Sequence, residues 1–85
     1  MLKCITDIIN NELELDLTVV SENDKLSERG LDSITFMMLI VYLEEKFDIE
    51  FSFDGIFMQQ FVEVSFGDLI KEIDTLIQIK EKAHD

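Results

Sequence analysis

One cysteine, one histidine and seven basic residues are all that this 85-residue chain offers to several kinds of chemistry. A single cysteine, Cys4, excludes an internal disulfide and a cysteine-rich metal site. It falls in the first predicted helix, where a thiol most often serves as small apolar filler. The single histidine, His84, stands one residue from the end, where chains fray. No Ser-His, Cys-His or His-metal constellation can be assembled from these parts. Carboxylates are plentiful, yet none is set apart as a general acid and base couple. The chain is not expected to be an enzyme.

The shortage of cations has its own consequence. Nineteen acidic residues against seven basic ones leave a net charge of −12. Such a surface repels nucleic acid and anionic lipid, because each phosphate contact needs a cation. It favours partners with basic docking surfaces and fast, salt-sensitive encounter. Long apolar runs are missing too. The longest, Phe36 to Leu43, has eight residues, far below the roughly 20 needed to span a bilayer. The opening MLKCITDIINNELELD is interrupted by polar residues at every third or fourth place and lacks the apolar block of a signal peptide. A soluble, cytoplasmic protein with no membrane insertion is expected, and a monomer.

What is present suffices for one small domain over residues 1–85, since a hydrophobic share of 47% allows a core to form. Leu2, Ile5, Ile8, Ile9 and Leu13 recur at helical spacing and predict a first amphipathic helix of about three turns. From Asp16 to Asp32 the periodicity fails. Ser21, Asn23, Asp24, Ser27 and Gly30 mark a long loop there, pinned by Val19, Val20, Leu26 and Leu31, and loops of that length are often functional. A second helix is predicted from Asp32-Ser33 to about Phe47, with Asp32 as its N-cap. Asp48 to Gly55 reads as a second loop in which Ile49, Phe51 and Phe53 alternate inward, and Ile56 to Phe61 as a short helix. Ser65 and Asp68 form a capping-box pattern for a last helix with the core stripe Phe66, Leu69, Ile70, Ile73, Leu76 and Ile77. Lys80 and Lys82 suit the C-terminal end of that helix. The expected fold is all-α: a four-helix bundle of three longer helices and one short third helix, with a long loop between helices 1 and 2.

The second helix has too many apolar residues for one face. On a wheel of 3.6 residues per turn, Phe36, Leu39, Ile40, Leu43 and Phe47 share a core side. Ile34, Met38 and Val41 fall opposite, with Glu45 below them and Met37 and Tyr42 at the margins. Leaving that stripe wet forgoes roughly 25 cal/mol per Å² of apolar surface, so a partner surface is expected there. Methionine suits a surface that fits several partners in turn.

The stretch GLDSITFM, residues 30–37, poses the sharper question. A serine at a helix start is common in any helical protein. Here GLDSITFMMLIVYLEEKFDIEF resembles the acyl and peptidyl carrier proteins, whose second helix opens on Asp-Ser-(Leu/Ile) and ends in Glu-Glu-x-Phe. Asp24, Leu26 and Gly30 match the D-x-L-x-x-x-G lead-in, and Ser65-Phe66-Gly67-Asp68 resembles the segment that opens the family's last helix. The resemblance implies that Ser33 is esterified to 4′-phosphopantetheine, donated from coenzyme A by a separate phosphopantetheinyl transferase using Mg²⁺. Asp32 would accompany it at the cofactor site. It implies partners that load the arm (an adenylating enzyme or acyltransferase) and condensing or tailoring enzymes downstream. Ile34, Thr35, Met38, Val41, Tyr42 and Glu45 would form the docking face.

The chain departs from the family pattern twice. Carboxylates usual along the exposed face of helix 2 are replaced by Thr35, Met38, Val41 and Tyr42, leaving Glu44 and Glu45. Proline is absent, and FSFDGIFMQQF stands where many relatives have Ile-Pro. Both point away from primary fatty-acid synthesis and toward a free-standing carrier in a nonribosomal-peptide, D-alanyl or other specialised pathway. Two rival readings exist. Glu50, Ser52, Asp54 and Gly55 follow the early register of a calcium loop, but Phe61 stands where a bidentate glutamate is required. An unmodified acidic helical adaptor would use the same outer face of helix 2 without needing Ser33.

Overall fold

The computed structural model describes residues 1–51 and 61–82. Among them are three α-helices, α1 (Leu2–Glu12), α2 (Ser33–Phe47) and α3 (Phe66–Lys82), and two 3-10 turns, Leu26–Arg29 and Phe61–Glu63. No strand occurs among the described residues; one antiparallel bridge pairs Lys25 with Ser65. The all-α expectation holds, while the four-helix count is not reached there. The predicted short helix Ile56–Phe61 lies outside the described residues except for Phe61, which opens a 3-10 turn. Phe53 and most of the rejected calcium register lie outside as well. No helix among the described residues is long and apolar enough to cross a membrane.

The helices pack by the stripes that their spacing foretold. Ile5 and Ile9 of α1, Phe36, Leu39, Ile40 and Leu43 of α2, and Phe66, Leu69 and Ile73 of α3 are buried in one cluster. Leu26, Leu31, Phe51 and Val64 join it from the connecting segments. No polar or charged residue is buried with them, so the described core incurs no desolvation cost for a buried charge.

The long loop is more ordered than a failed periodicity suggests. Leu13, the C-cap of α1, and Leu15 and Leu17 beyond it are half-buried, with the chain turned between the first two by Glu14 at φ 57. Asn10 of α1 holds that chain by a two-way clamp. Its Nδ2 donates to the Leu17 carbonyl at 3.0 Å, and its Oδ1 accepts the Leu17 N–H at 2.8 Å. Val20 is half-buried, but Val19 is 79% exposed and pins nothing. The chain bends at Val19, whose side chain is left in solvent.

The loop is then stitched to the start of α3. Leu26 N–H donates to the Val64 carbonyl at 3.0 Å, Phe66 N–H to Asp24 at 3.0 Å, and Gly67 N–H to Glu22 at 2.8 Å. A Cβ on residue 67 would stand 3.1 Å from the Glu22 carbonyl oxygen, which is why a glycine fits that closest approach. Ser65 and Asp68 cap α3 reciprocally, each side chain bonded to the other's N–H at 3.1 Å. At the far end Lys80 of α3 reaches the end of α2, 3.4 Å from the Phe47 carbonyl and 2.9 Å from Asp48 Oδ2.

Core and outer face of α2 predict opposite mutational costs. Leu39, with no exposure, should lose about 2–5 kcal/mol of stability on Leu39→Ala, because a cavity replaces a packed side chain. Met38→Ala, one residue along but on the exposed face, should cost less than about 1 kcal/mol. Urea denaturation of both variants reads the contrast directly.

Candidate functional site

The start of α2 is placed by its lead-in. Asp24 opens the lead-in with its carboxylate accepting the Ser21 N–H at 2.8 Å and the Arg29 guanidinium at 2.7 Å. These partners, Ser21 first, hold the Asp24 carboxyl below its ordinary pKa. Leu26 buries itself and anchors the 3-10 turn. Gly30 ends that turn at φ +96, in the left-handed region that favours glycine, and its N–H returns to the Leu26 carbonyl. Leu31 then enters the core, and Asp32 is extended at φ −115 before the helix begins. Buried anchors at 26 and 31 therefore fix the chain just before residue 33.

Asp32 and Thr35 close the helix start as a capping box. Asp32 Oδ1 accepts the Thr35 N–H at 2.8 Å, and Thr35 Oγ1 accepts the Asp32 N–H at 2.8 Å. The Thr35 hydroxyl stands 3.0 Å from the same Oδ1 and 3.1 Å from the Asp32 carbonyl, so its one proton is shared between two acceptors. The Thr35 N–H, then its hydroxyl, hold the Asp32 carboxyl below its ordinary pKa.

Ser33 is the first residue of α2, not its cap. It is exposed, and its hydroxyl makes no hydrogen bond to another described residue. The positive end of a fifteen-residue helix lies beside it, where an anion such as a phosphodiester is favoured. An open apolar groove of about 440 Å³ begins at the same residue, lined by Ser33, Ile34, Met37, Met38 and Val41. A free hydroxyl, a positive helix end and room for a substituent are what an esterified phosphopantetheine needs. The residues fit the group.

The expected docking residues divide. Ile34, Met38 and Val41 are exposed together, and Ile34 reaches 70%. Glu45 is exposed, Tyr42 and Thr35 half-buried. Sequence reasoning left Met37 at the margin of this face, yet it is 49% exposed and lines the groove. It also missed the polar task of Thr35. The signal was present: Asp32 and Thr35 are three residues apart, the spacing of a capping box with threonine in place of the usual glutamate. Among the described residues no cluster of three metal-ligating side chains occurs.

Residues 4–64 match the family model for the phosphopantetheine attachment site. No curated protein and no solved structure matches the chain.

The cap at Asp32 makes stability depend on pH with a definite sign. A carboxyl whose folded pKa is lowered stabilises the fold above its unfolded value, and that contribution disappears as pH falls through the folded one. Urea midpoints measured from pH 7 down to pH 3 should therefore fall with acid. Asp32→Asn should be less stable at neutral pH and should show a shallower acid decline than the parent.

Proposed function

The chain belongs to the phosphopantetheine attachment-site family, the acyl and peptidyl carrier proteins, and from that premise we propose that Ser33 is the residue that bears its prosthetic group. Members of the family carry 4′-phosphopantetheine covalently. The observation that supports Ser33 is its freedom: capping falls to Asp32 and Thr35, and the serine hydroxyl is exposed at the head of the helix without a structural partner among the described residues. The group, once bound, supplies a thiol on a flexible arm, on which acyl or aminoacyl cargo travels as a thioester. A tether of this kind keeps cargo at high effective concentration for each enzyme that docks in turn.

In this reading the chain is a carrier that passes cargo between enzymes. A phosphopantetheinyl transferase installs the arm, an adenylating enzyme or acyltransferase loads it, and condensing or tailoring enzymes consume the product. Ile34, Met38 and Val41 form the centre of the surface these enzymes meet, with Thr35, Tyr42 and Glu45 at its border. No charged residue occurs from Ser33 through Leu43, which supports contacts with apolar rather than basic partner surfaces. That supports a nonribosomal-peptide, D-alanyl or other specialised pathway over primary fatty-acid synthesis.

Incubation of the protein with coenzyme A, Mg²⁺ and a broad-specificity transferase should add the mass of one phosphopantetheinyl group. Ser33→Ala should abolish that gain while leaving stability within about 0.5 kcal/mol, because the serine is not the cap. A mass gain that survives the substitution refutes the assignment.

The docking face makes a separate expectation. Met38→Glu should slow loading by the cognate enzyme roughly tenfold or more, since a charge would be buried against an apolar contact. Loading measured at parental rates on the modified variant would remove the support for an apolar docking face.

A further inference from the structure

An aspartate next to an exposed serine at a helix start has two places to put its carboxylate. It can turn inward to cap the first turn, or outward to accept a hydrogen bond from the neighbouring hydroxyl. The outward choice would occupy the proton that Ser33 must lose and set a negative charge beside an incoming phosphate. In this chain the inward choice is enforced. Two donors of Thr35 converge on Asp32 Oδ1: its N–H at 2.8 Å and its hydroxyl at 3.0 Å, whose proton is shared with the Asp32 carbonyl at 3.1 Å. The Asp32 N–H is in turn bound by Thr35 Oγ1 at 2.8 Å, so residue 32 is held through both its backbone and its side chain.

We propose that Thr35 is a positioning residue for the modification of Ser33: its hydroxyl pins the Asp32 carboxylate against the first turn of α2 and leaves the Ser33 hydroxyl unengaged. The inference rests on Ser33 being the attachment residue. Transfer makes a bond from Ser33 Oγ to phosphorus and breaks a P–O bond in the pyrophosphate of coenzyme A. The nucleotide bisphosphate leaves, and the hydroxyl proton passes to a base on the transferase or to water. Thr35 takes no part in bond making. It holds the neighbouring carboxylate in one place, already engaged with the first turn of α2. The lowered pKa of Asp32, to which the Thr35 hydroxyl contributes, agrees with a carboxylate held ionised and well solvated by donors.

Thr35→Val keeps the shape and the backbone N–H but removes the hydroxyl. Steady-state transfer to the apo protein, with coenzyme A, Mg²⁺ and a broad-specificity transferase, should show kcat lowered roughly tenfold and KM little changed. Thr35→Ser should restore the rate. A readout independent of transfer is the titration of the Asp32 carboxyl carbon by NMR, whose midpoint should rise toward the ordinary aspartate value in Thr35→Val and return in Thr35→Ser. Thermal melts establish that each variant is folded, and Thr35→Ala replaces the valine variant if that one is not. An unchanged kcat with an unchanged Asp32 titration overturns the proposal. So does a loss confined to KM that serine does not rescue, which would make Thr35 a direct contact for the transferase. Parental protein that gains no mass refutes the Ser33 assignment itself, whereas parental gain with an equally fast valine variant refutes the role of Thr35 alone.

Discussion

Three main-chain hydrogen bonds between residues 22–26 and 64–67 decide where α2 begins. The connection from α1 to α2 is ordered by packing and by hydrogen bonds from both backbone and side chains. Ordering each residue of such a loop costs about 1–2 kcal/mol of backbone entropy, so a loop this long stays fixed only where something holds it. Asn10 holds its first part against α1, and the three bonds hold its second part against the start of α3. Everything nearer Ser33 follows from that anchorage. Leu26 can be buried because its N–H is satisfied by Val64, and the turn closed by Gly30 then delivers Leu31 to the core and Asp32 to the cap. The geometry at residue 33 thus depends on segments some forty positions apart in the chain.

Charge is distributed so as not to interfere with the surface beside Ser33. The eleven positions from Ser33 to Leu43 hold no Asp, Glu, Lys or Arg, so the net −12 lies wholly outside them. Long-range attraction and close contact are therefore separated. The acidic body can speed encounter with a basic enzyme, an effect that salt screens over about 10 Å. On the proposed docking mode the apolar face would set how long the complex lasts, since affinity among related complexes is tuned mainly through dissociation. A carrier that must leave each enzyme gains from this division.

Much of the fold was legible in the sequence because the helices are ordinary. Period-3.6 stripes gave the buried positions Ile5, Ile9, Leu39, Leu43, Leu69 and Ile73, and capping chemistry placed the starts of α2 and α3 to the residue. The loop was legible only as an absence of period. Nothing local told Val20 from Val19, since which of two adjacent residues turns inward depends on where α1 lies beneath them. Leu15 and Leu17 went unnoticed for the same reason: three alternating apolar residues are too short a pattern to stand out. The motif placed Asp32 and Ser33 at the start of α2, and the wheel gave Ile34, Met38 and Val41 as its exposed side. Met37 escaped because residues near 90° from both faces are assigned by the neighbour that is missing, and a sequence does not show which side that is.

The helix start divides labour in a way that bears on how a modified serine can coexist with a stable fold. If a single residue both capped the helix and bore the substituent, esterifying its oxygen would remove a lone pair from the cap and weaken the first turn. Here the cap belongs to Asp32, reinforced by Thr35, and the neighbouring Ser33 contributes no oxygen to the described fold. A phosphodiester on that oxygen therefore breaks no bond among the described residues. It adds negative charge next to a carboxylate whose own charge is already met by two donors, at the helix end that favours anions. The Asp32 carboxylate is already met by the backbone and hydroxyl of Thr35, and a group on Ser33 would have solvent and the open groove available to it. With the arm on Ser33, stability and modification would be decoupled at adjacent residues, which is the condition for one fold to serve equally before and after attachment.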